Sequence, residues 1–285
     1  MRTDFASCFS DHAVKVSDSS CTRPSVIPAA AVVNFSVQTA VTSVYRSILS
    51  SKRNHLIKVT WSKTELGPTL SMAVDDSINP QLLKKTKGTR SLVLGSSIIS
   101  VHWDYSMAKF NNLGPDPISD FYIIVIVDTE VALMLGDMSR DYIKTFQNSI
   151  QIAQFLLVSR LEKIIGHNIY STKAQFSEEG KEHDIVISCN GDLEMTVSID
   201  NKRVVHVRRL QWNFRGNHTI FVDGLPIDLM WDLKNFNRSK GYAVFMFRKR
   251  RSLESRLWFE EEIQNSEKGV FDFSLLIQAF KSLTK

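Results

Sequence analysis

The densest patch of potential chemistry is the stretch 202–215, where Lys202, Arg203, Arg208, Arg209 and Arg215 follow one another with no acidic residue between them. Written as an extended strand from Val204 to Phe214, the pattern puts Leu210, Trp212 and Phe214 on one side and Arg209, Gln211, Asn213 and Arg215 on the other. The aromatic side is expected in a core and the arginine row at the surface. There, planar guanidinium groups suit carboxylate or phosphate groups. Lys202, Arg203, Arg208, Arg209 and Arg215 are therefore the candidate ligand-binding residues. A sheet that reads RNA exposes its aromatics for stacking, whereas this alternation hides them. The competing structural reading is cross-strand pairing of the arginines with acids such as Asp228 and Asp232.

A second basic run, Arg248-Lys249-Arg250-Arg251, ends at Ser252. It reads as the solvated end of a strand, as a short nuclear-localisation-like run, or as a basophilic kinase site that makes Ser252 a candidate for regulatory phosphorylation. The run Lys84-Lys85-Thr86-Lys87 reads as a charged loop guarding a strand edge.

Catalytic signatures are missing from the sequence: it has no G-x-S-x-G elbow, no P-loop, no G-x-G-x-x-G, no H-E-x-x-H and no C-x-x-C. Its histidines, His12, His55, His102, His167, His183, His206 and His218, never pair at metal-ligand spacing. Sequence reasoning therefore assigns no catalytic residue, no cofactor and no metal. An enzyme with a dispersed site stays open.

Net charge is +5, from 35 basic and 30 acidic residues, and most basic residues have acidic neighbours. That balance permits an anionic partner without demanding one, and it is unlike the dense basic face of a duplex-DNA binder. Cys8, Cys21 and Cys189 are too few for a disulfide framework, which fits a reducing compartment. The N-terminal stretch carries Asp4, Asp11 and Asp18 among Ser and Thr, with no apolar core of a secretory signal. The longest apolar runs, such as Phe121 to Val127, are far too short to span a membrane. The expected location is the cytosol or nucleus.

The elements that must position these residues are mostly strands. Period-two runs of β-branched and aromatic residues recur from His55 to Ser62, Thr69 to Asp75, Ile98 to Tyr105, Phe121 to Val127 and Val131 to Leu135. They resume at Ile169 to Phe176, His183 to Ser188, Leu193 to Ile199, Val204 to Phe214, Ile227 to Asp232 and Gly241 to Arg248, with Phe273 to Phe280 as a last strand. Between the two series, Ile143, Phe146, Ile150, Ala153, Leu157, Leu161 and Ile164 recur every three or four residues, which predicts a helix over 140–165.

The two series echo each other. Ile57-x-Val59 parallels Ile185-x-Ile187, and Leu70-x-Met72-x-Val74 parallels Leu193-x-Met195-x-Val197. Trp103-Asp104-Tyr105 parallels Trp212-Asn213-Phe214, and Val127-Asp128 with Asp137 parallels Val222-Asp223 with Asp232. The expected architecture is all-β: two related antiparallel halves, sandwich or barrel-like, joined by one helix. The expected division is a disordered Ser-rich arm at 1–36, a first β-rich half at 37–138, the connecting helix at 139–166 and a second β-rich half at 167–285.

Several segments are specific enough to carry a resemblance. They include Val59-Thr60-Trp61-Ser62, Val101-His102-Trp103-Asp104, Leu135-Gly136-Asp137-Met138 and Tyr170-Ser171-Thr172-Lys173-Ala174. They continue with Arg209-Leu210-Gln211-Trp212-Asn213-Phe214-Arg215-Gly216-Asn217 and Phe221-Val222-Asp223-Gly224-Leu225-Pro226. On these the chain resembles, over nearly its whole length, the plant-specific domain-of-unknown-function family 868. The resemblance implies a plant source and, by the family's own label, no assigned activity.

The functional expectation is a non-catalytic binding or adaptor module with a protein partner. The alternatives are a small-ligand binder with a β-enclosed cavity and an RNA-binding protein using the basic strand. The oligomeric state is not set by any motif.

Overall fold

In the computed structural model the described residues are 36–75, 81–112, 114–146, 150–177, 180–234, 236, 241–250 and 273–282. The N-terminal arm through residue 35 therefore lies outside them. Strands take 67% of the described residues and helix 3%, so the fold is all-β. Two compact units divide it, one built on Val37–Lys163 and the other running from Ile164 and including Ile277 onward.

In the N-terminal unit the strands are β1 (Val37–Ile48), β2 (Asn54–Thr64), β3 (Gly67–Val74), β4 (Gln81–Leu83), β5 (Lys87–Leu94), β6 (Ser97–Asp104), β7 (Lys109–Phe110), β8 (Pro117–Ser119), β9 (Tyr122–Val127) and β10 (Glu130–Leu135). Helix α1 (Ser139–Lys144), β11 (Gln151–Ile152) and β12 (Gln154–Gly166) follow. One sheet places β12-β1-β2-β3-β4 side by side, and a second runs β11-β10-β9-β6-β5. The inward faces meet in one core: Ile57, Val59 and Trp61 from β2 and Leu70, Met72 and Val74 from β3 pack with Ile99, Val101 and Trp103 from β6 and Ile123 and Val125 from β9. Strand β9 is buried on both faces, which explains its unbroken Tyr-Ile-Ile-Val-Ile-Val sequence. Its second face, Tyr122, Ile124 and Ile126, is covered by Tyr142, Ile143 and Phe146 on and after α1.

The C-terminal unit contains β13 (Ile169–Ala174), β14 (His183–Asn190), β15 (Glu194–Ile199), β16 (Lys202–Arg208), β17 (Arg215–Val222), β18 (Leu225–Asp232), β19 (Tyr242–Lys249) and β20 (Ser274–Lys281). Strands β13-β14-β15-β16 form one sheet, and β17-β18-β19-β20 lie side by side in another. Its buried residues alternate along each strand, as Ile185/Ile187, Met195/Val197, Leu229/Trp231 and Phe245/Phe247 show. No sheet closes into a barrel among the described residues, which leaves open sheets.

The predicted helix over 140–165 is corrected: α1 is only Ser139–Lys144, and Gln154–Gly166 is the long strand β12. The inward face of β12 includes Val158, Glu162 and Ile164, with Glu162 fully buried. Arg160 and Glu162 share the inward face with Val158 and Ile164 while Ile165 is exposed on the other, and the mixture imitates a helical period. The arrangement is stable because each charge is bonded. Arg160 Nε donates to Glu162 Oε1 at 2.6 Å, Arg160 Nη2 to Asp116 at 2.9 Å and Gln38 Nε2 to Glu162 Oε2 at 2.9 Å.

The parallels between the two series hold at the first pair and need a new register at the others. Ile57↔Val74 and Val59↔Met72 in the N-terminal unit correspond to Ile185↔Ile199 and Ile187↔Val197, two residues on from the sequence-based alignment. Trp103 matches Trp231 rather than Trp212. Each of these indoles lies opposite a glycine, Gly88 or Gly216, and donates to a backbone carbonyl, Lys85 O at 2.9 Å or Asn213 O at 3.0 Å. The following acid pairs with the residue before that glycine in both: Lys87 with Asp104 at 2.8 Å and Arg215 with Asp232 at 2.6 Å. Asp128 likewise matches Arg250 rather than Asp223, since Asp128 N donates to Ile98 O at 2.7 Å and Arg250 N to Pro226 O at 2.8 Å.

Candidate functional site

The basic stretch begins at the tight turn Asp200-Asn201, whose φ values of 48° and 63° are those of a two-residue hairpin turn. Strand β16 then runs to Arg208, with Val205 and Val207 buried. The continuous strand expected over 204–214 is not formed. Arg209 takes φ 54°, which ends the alternation and starts a turn closed by Trp212 N and Asn213 N donating to Arg209 O at 2.9 and 3.1 Å. Asn213 Nδ2 also donates to Arg208 O at 2.8 Å. Leu210 is buried as expected, Phe214 is half-buried, and Trp212 is 77% exposed instead of core. The sequence carried a signal for this: Trp231-Asp232 repeats the dipeptide Trp103-Asp104, which leaves Trp212 as a surplus indole.

This turn does not stand alone. Leu210 N donates to Leu193 O at 3.4 Å and Gln211 N to Asp192 O at 3.3 Å, joining it to the turn before β15. Leu193, at that turn, is 67% exposed. Two bonded turns thus present a tryptophan and a leucine to solvent, with Arg208 and Arg209 exposed beside them.

The five candidate residues separate into two groups. Arg208, Arg209 and Arg215 border the Trp212 turn; Lys202 and Arg203 sit at the opposite end of β16, roughly 20 Å away at about 3.3 Å per residue. Arg215 is bound to Asp232, through Nη2 at 2.6 Å and Nε at 3.1 Å, as the structural reading expected. Burial pushes the Asp232 carboxyl up, but the Lys234 N–H and Arg215 outweigh it and hold its pKa below the ordinary range. Asp228 is taken instead by Arg250 and Thr219. Glu194, opposite Arg208, accepts from His206 at 2.7 Å, which lowers its pKa. Arg248 and Lys249 complete β19. Arg251 and Ser252 lie outside the described residues.

Near the Lys202 end, His183 is clamped. Its Nδ1 contacts Asp200 Oδ2 and its Nε2 contacts Asp223 Oδ2, both at 2.8 Å. Ionised carboxylates only accept, so both nitrogens donate and the ring is imidazolium. Burial opposes that charge, yet the bonds to Asp223 and Asp200 outweigh it and the His183 pKa is raised. With both lone pairs protonated, this ring cannot ligate a metal.

The N-terminal unit holds an arrangement that looks catalytic on paper. Ser47 lies directly across from His55 on β1 and β2, and His55 Nδ1 bonds Asp75 Oδ2 at 2.8 Å. Ser47 Oγ and His55 Nε2 are the buried side-chain atoms without partners among the described residues. Serine, imidazole and carboxylate stand in order, but Ser47 is 0% exposed, so no acyl group reaches its hydroxyl. Cys189 is equally closed, its thiol pushed up to about 12 by burial.

No described helix is long and apolar enough to cross a membrane. No curated protein and no solved structure matches the chain. A family model described as plant protein of unknown function, DUF868, matches residues 36–281, and with that span the chain belongs to the DUF868 family.

Proposed function

We propose that the chain is a non-catalytic binding module that recognises a partner protein through the Trp212 turn, acting in the cytosol or nucleus. The observation carrying this reading is an exposed tryptophan held on a turn whose backbone is fully tied down. A large side chain already ordered loses little entropy on binding, and Trp and Arg dominate protein–protein hot spots. Local charge separates a protein partner from a polyanion. Arg208, Arg209 and Arg215 are matched by Asp192, Glu194 and Asp232 around the same turn, which leaves no surplus to replace counterions on RNA. A mixed-charge rim around an apolar centre is what a protein partner meets.

The turn is also the part of the C-terminal unit with no counterpart in the other. Leu83 and Lys87 match Val207 and Arg215 in their pairing, so three residues (84–86) stand where the second unit has seven (208–214). We infer that the units descend from one duplicated unit and that Trp212 belongs to the four added residues.

A photo-crosslinking residue at position 211, beside Trp212, in the full chain, followed by purification with and without RNase, tests the reading. Expected are RNase-resistant protein adducts absent from an Arg208-side control site on β14, together with loss of partner recovery in Trp212→Ala. RNase-sensitive adducts to nucleic acid overturn it.

A further inference from the structure

We propose that β16 accepts an extended peptide as an additional antiparallel strand, with an apolar residue of that peptide on Trp212 and acidic residues over Lys202 and Arg203. This rests on the protein-binding reading and names the form of its partner.

Strand β16 ends its sheet, so one side of its seven-residue backbone has no strand beside it among the described residues. Its N-terminal-unit counterpart, β4, has three residues, the short edge that proteins normally leave open. Strands β5, β11, β13 and β17 also end sheets, but Lys87 and Arg215, which open β5 and β17, are each paired with an aspartate. Lys202 and Arg203 are exposed at one end and neither pairs with a described carboxylate; no acidic residue lies on the strand. Lys181 and the His183 ring together offset Asp200 and Asp223, which leaves the charges of Lys202 and Arg203 in excess there. At the other end, where charge is balanced, the turn that follows β16 exposes Trp212.

The edge is therefore positive at its start and apolar at its finish. An antiparallel strand running past it meets the apolar end first and the basic end last. Its recognition sequence carries a large apolar residue N-terminally and acids about five residues later, matching the span of β16 at roughly 3.3 Å per residue. Main-chain hydrogen bonds to β16 supply affinity, and the two ends supply direction.

The probe is a fluorescein-labelled peptide, Leu-Thr-Val-Thr-Val-Glu-Glu, titrated by anisotropy onto the full chain. The expected result is saturable binding that falls at least ~10-fold on N-methylating one set of alternate amides and stays within ~3-fold on methylating the other set. Reversing the peptide sequence, or introducing Lys202→Glu with Arg203→Glu, is expected to weaken it at least ~10-fold, with far-UV circular dichroism unchanged. Equal tolerance of both methylation sets, or no binding at about 1 mM peptide, overturns the strand-addition proposal and leaves Lys202 and Arg203 as guards of an edge. If Trp212→Ala abolishes crosslinked partner while the edge variants do not, strand addition falls and the protein-binding reading stands. Absence of both peptide binding and crosslinked partner with the unaltered Trp212 and edge residues removes both readings.

Discussion

His55 and His183 begin equivalent strands and each gives Nδ1 to an aspartate at 2.8 Å, Asp75 in one unit and Asp200 in the other. Both aspartates also accept a backbone N–H, from Leu56 and from Asp184. Beyond that the units part. In the C-terminal unit the second ring nitrogen reaches Asp223 and locks the turns at Asp200 and Asp223 together; in the N-terminal unit it has no partner among the described residues, and turns are tied by Arg53, which donates to Asp128 at 3.1 Å and Ser97 at 2.8 Å. The two strand frames are thus fastened by different cations. An imidazolium can lose its charge as pH rises, whereas a guanidinium keeps it.

The comparison is tested first at the glycines. A methyl group on Gly216 collides with the Trp231 indole, and one on Gly88 meets Trp103 Cζ2 at 2.9 Å. Gly216→Ala is expected to cost about 3 kcal/mol and Gly88→Ala about 1 kcal/mol, read by urea unfolding of each variant. Equal costs would show that the two indoles are not held alike.

Next come the histidines. His183→Ala leaves two carboxylates facing each other and is expected to cost about 2 kcal/mol, discounted because both carboxylates are partly exposed; His55→Ala is expected to cost about 1 kcal/mol. The reverse ranking, measured the same way, would sink the clamp.

A smaller effect follows from pH. The folded-state pKa of His183 is raised, so its stabilisation is complete below about 6.5 and is lost as pH rises through the folded value. Asp200 is held low, first by the His183 hydrogen bond, and contributes above the ordinary carboxylate range, losing its share as pH falls through its own folded value. Nuclear magnetic resonance titration of the ring protons should find His183 turning over above 6.5 and His102, which burial drives down, below it. The Arg53–Asp128 tie should show no loss on the alkaline side.

The least disturbing change is the most informative for function. Trp212→Ala, at a side chain 77% exposed, should shift stability by less than about 1 kcal/mol in urea unfolding while removing recovery of the partner. Retained recovery would show that the turn present in only one of the two frames is not the contact.

Strand identity was legible wherever one face is apolar. Ile57-x-Val59-x-Trp61 and Ile227-x-Leu229-x-Trp231 alternate because only one side of each meets a core. The run at 140–165 misled for the opposite reason: β12 buries Glu162 and exposes Ile165, and no pattern rule anticipates an ion pair facing inward. The candidate site was legible as a concentration of arginines, but its shape was not. Trp212 was assigned to a core because alternation was carried through Arg209, where the backbone turns left-handed.

By itself the sequence determined the all-β class, the family and the place where positive charge accumulates, since these depend on residue type and local period. Only the tertiary structure decided that Arg215 is bound by Asp232, that Lys202 and Arg203 lie at the far end of a sheet edge from Trp212, and that the two histidines differ. Those facts rest on contacts between residues distant along the chain, where geometry rather than local preference chooses each partner.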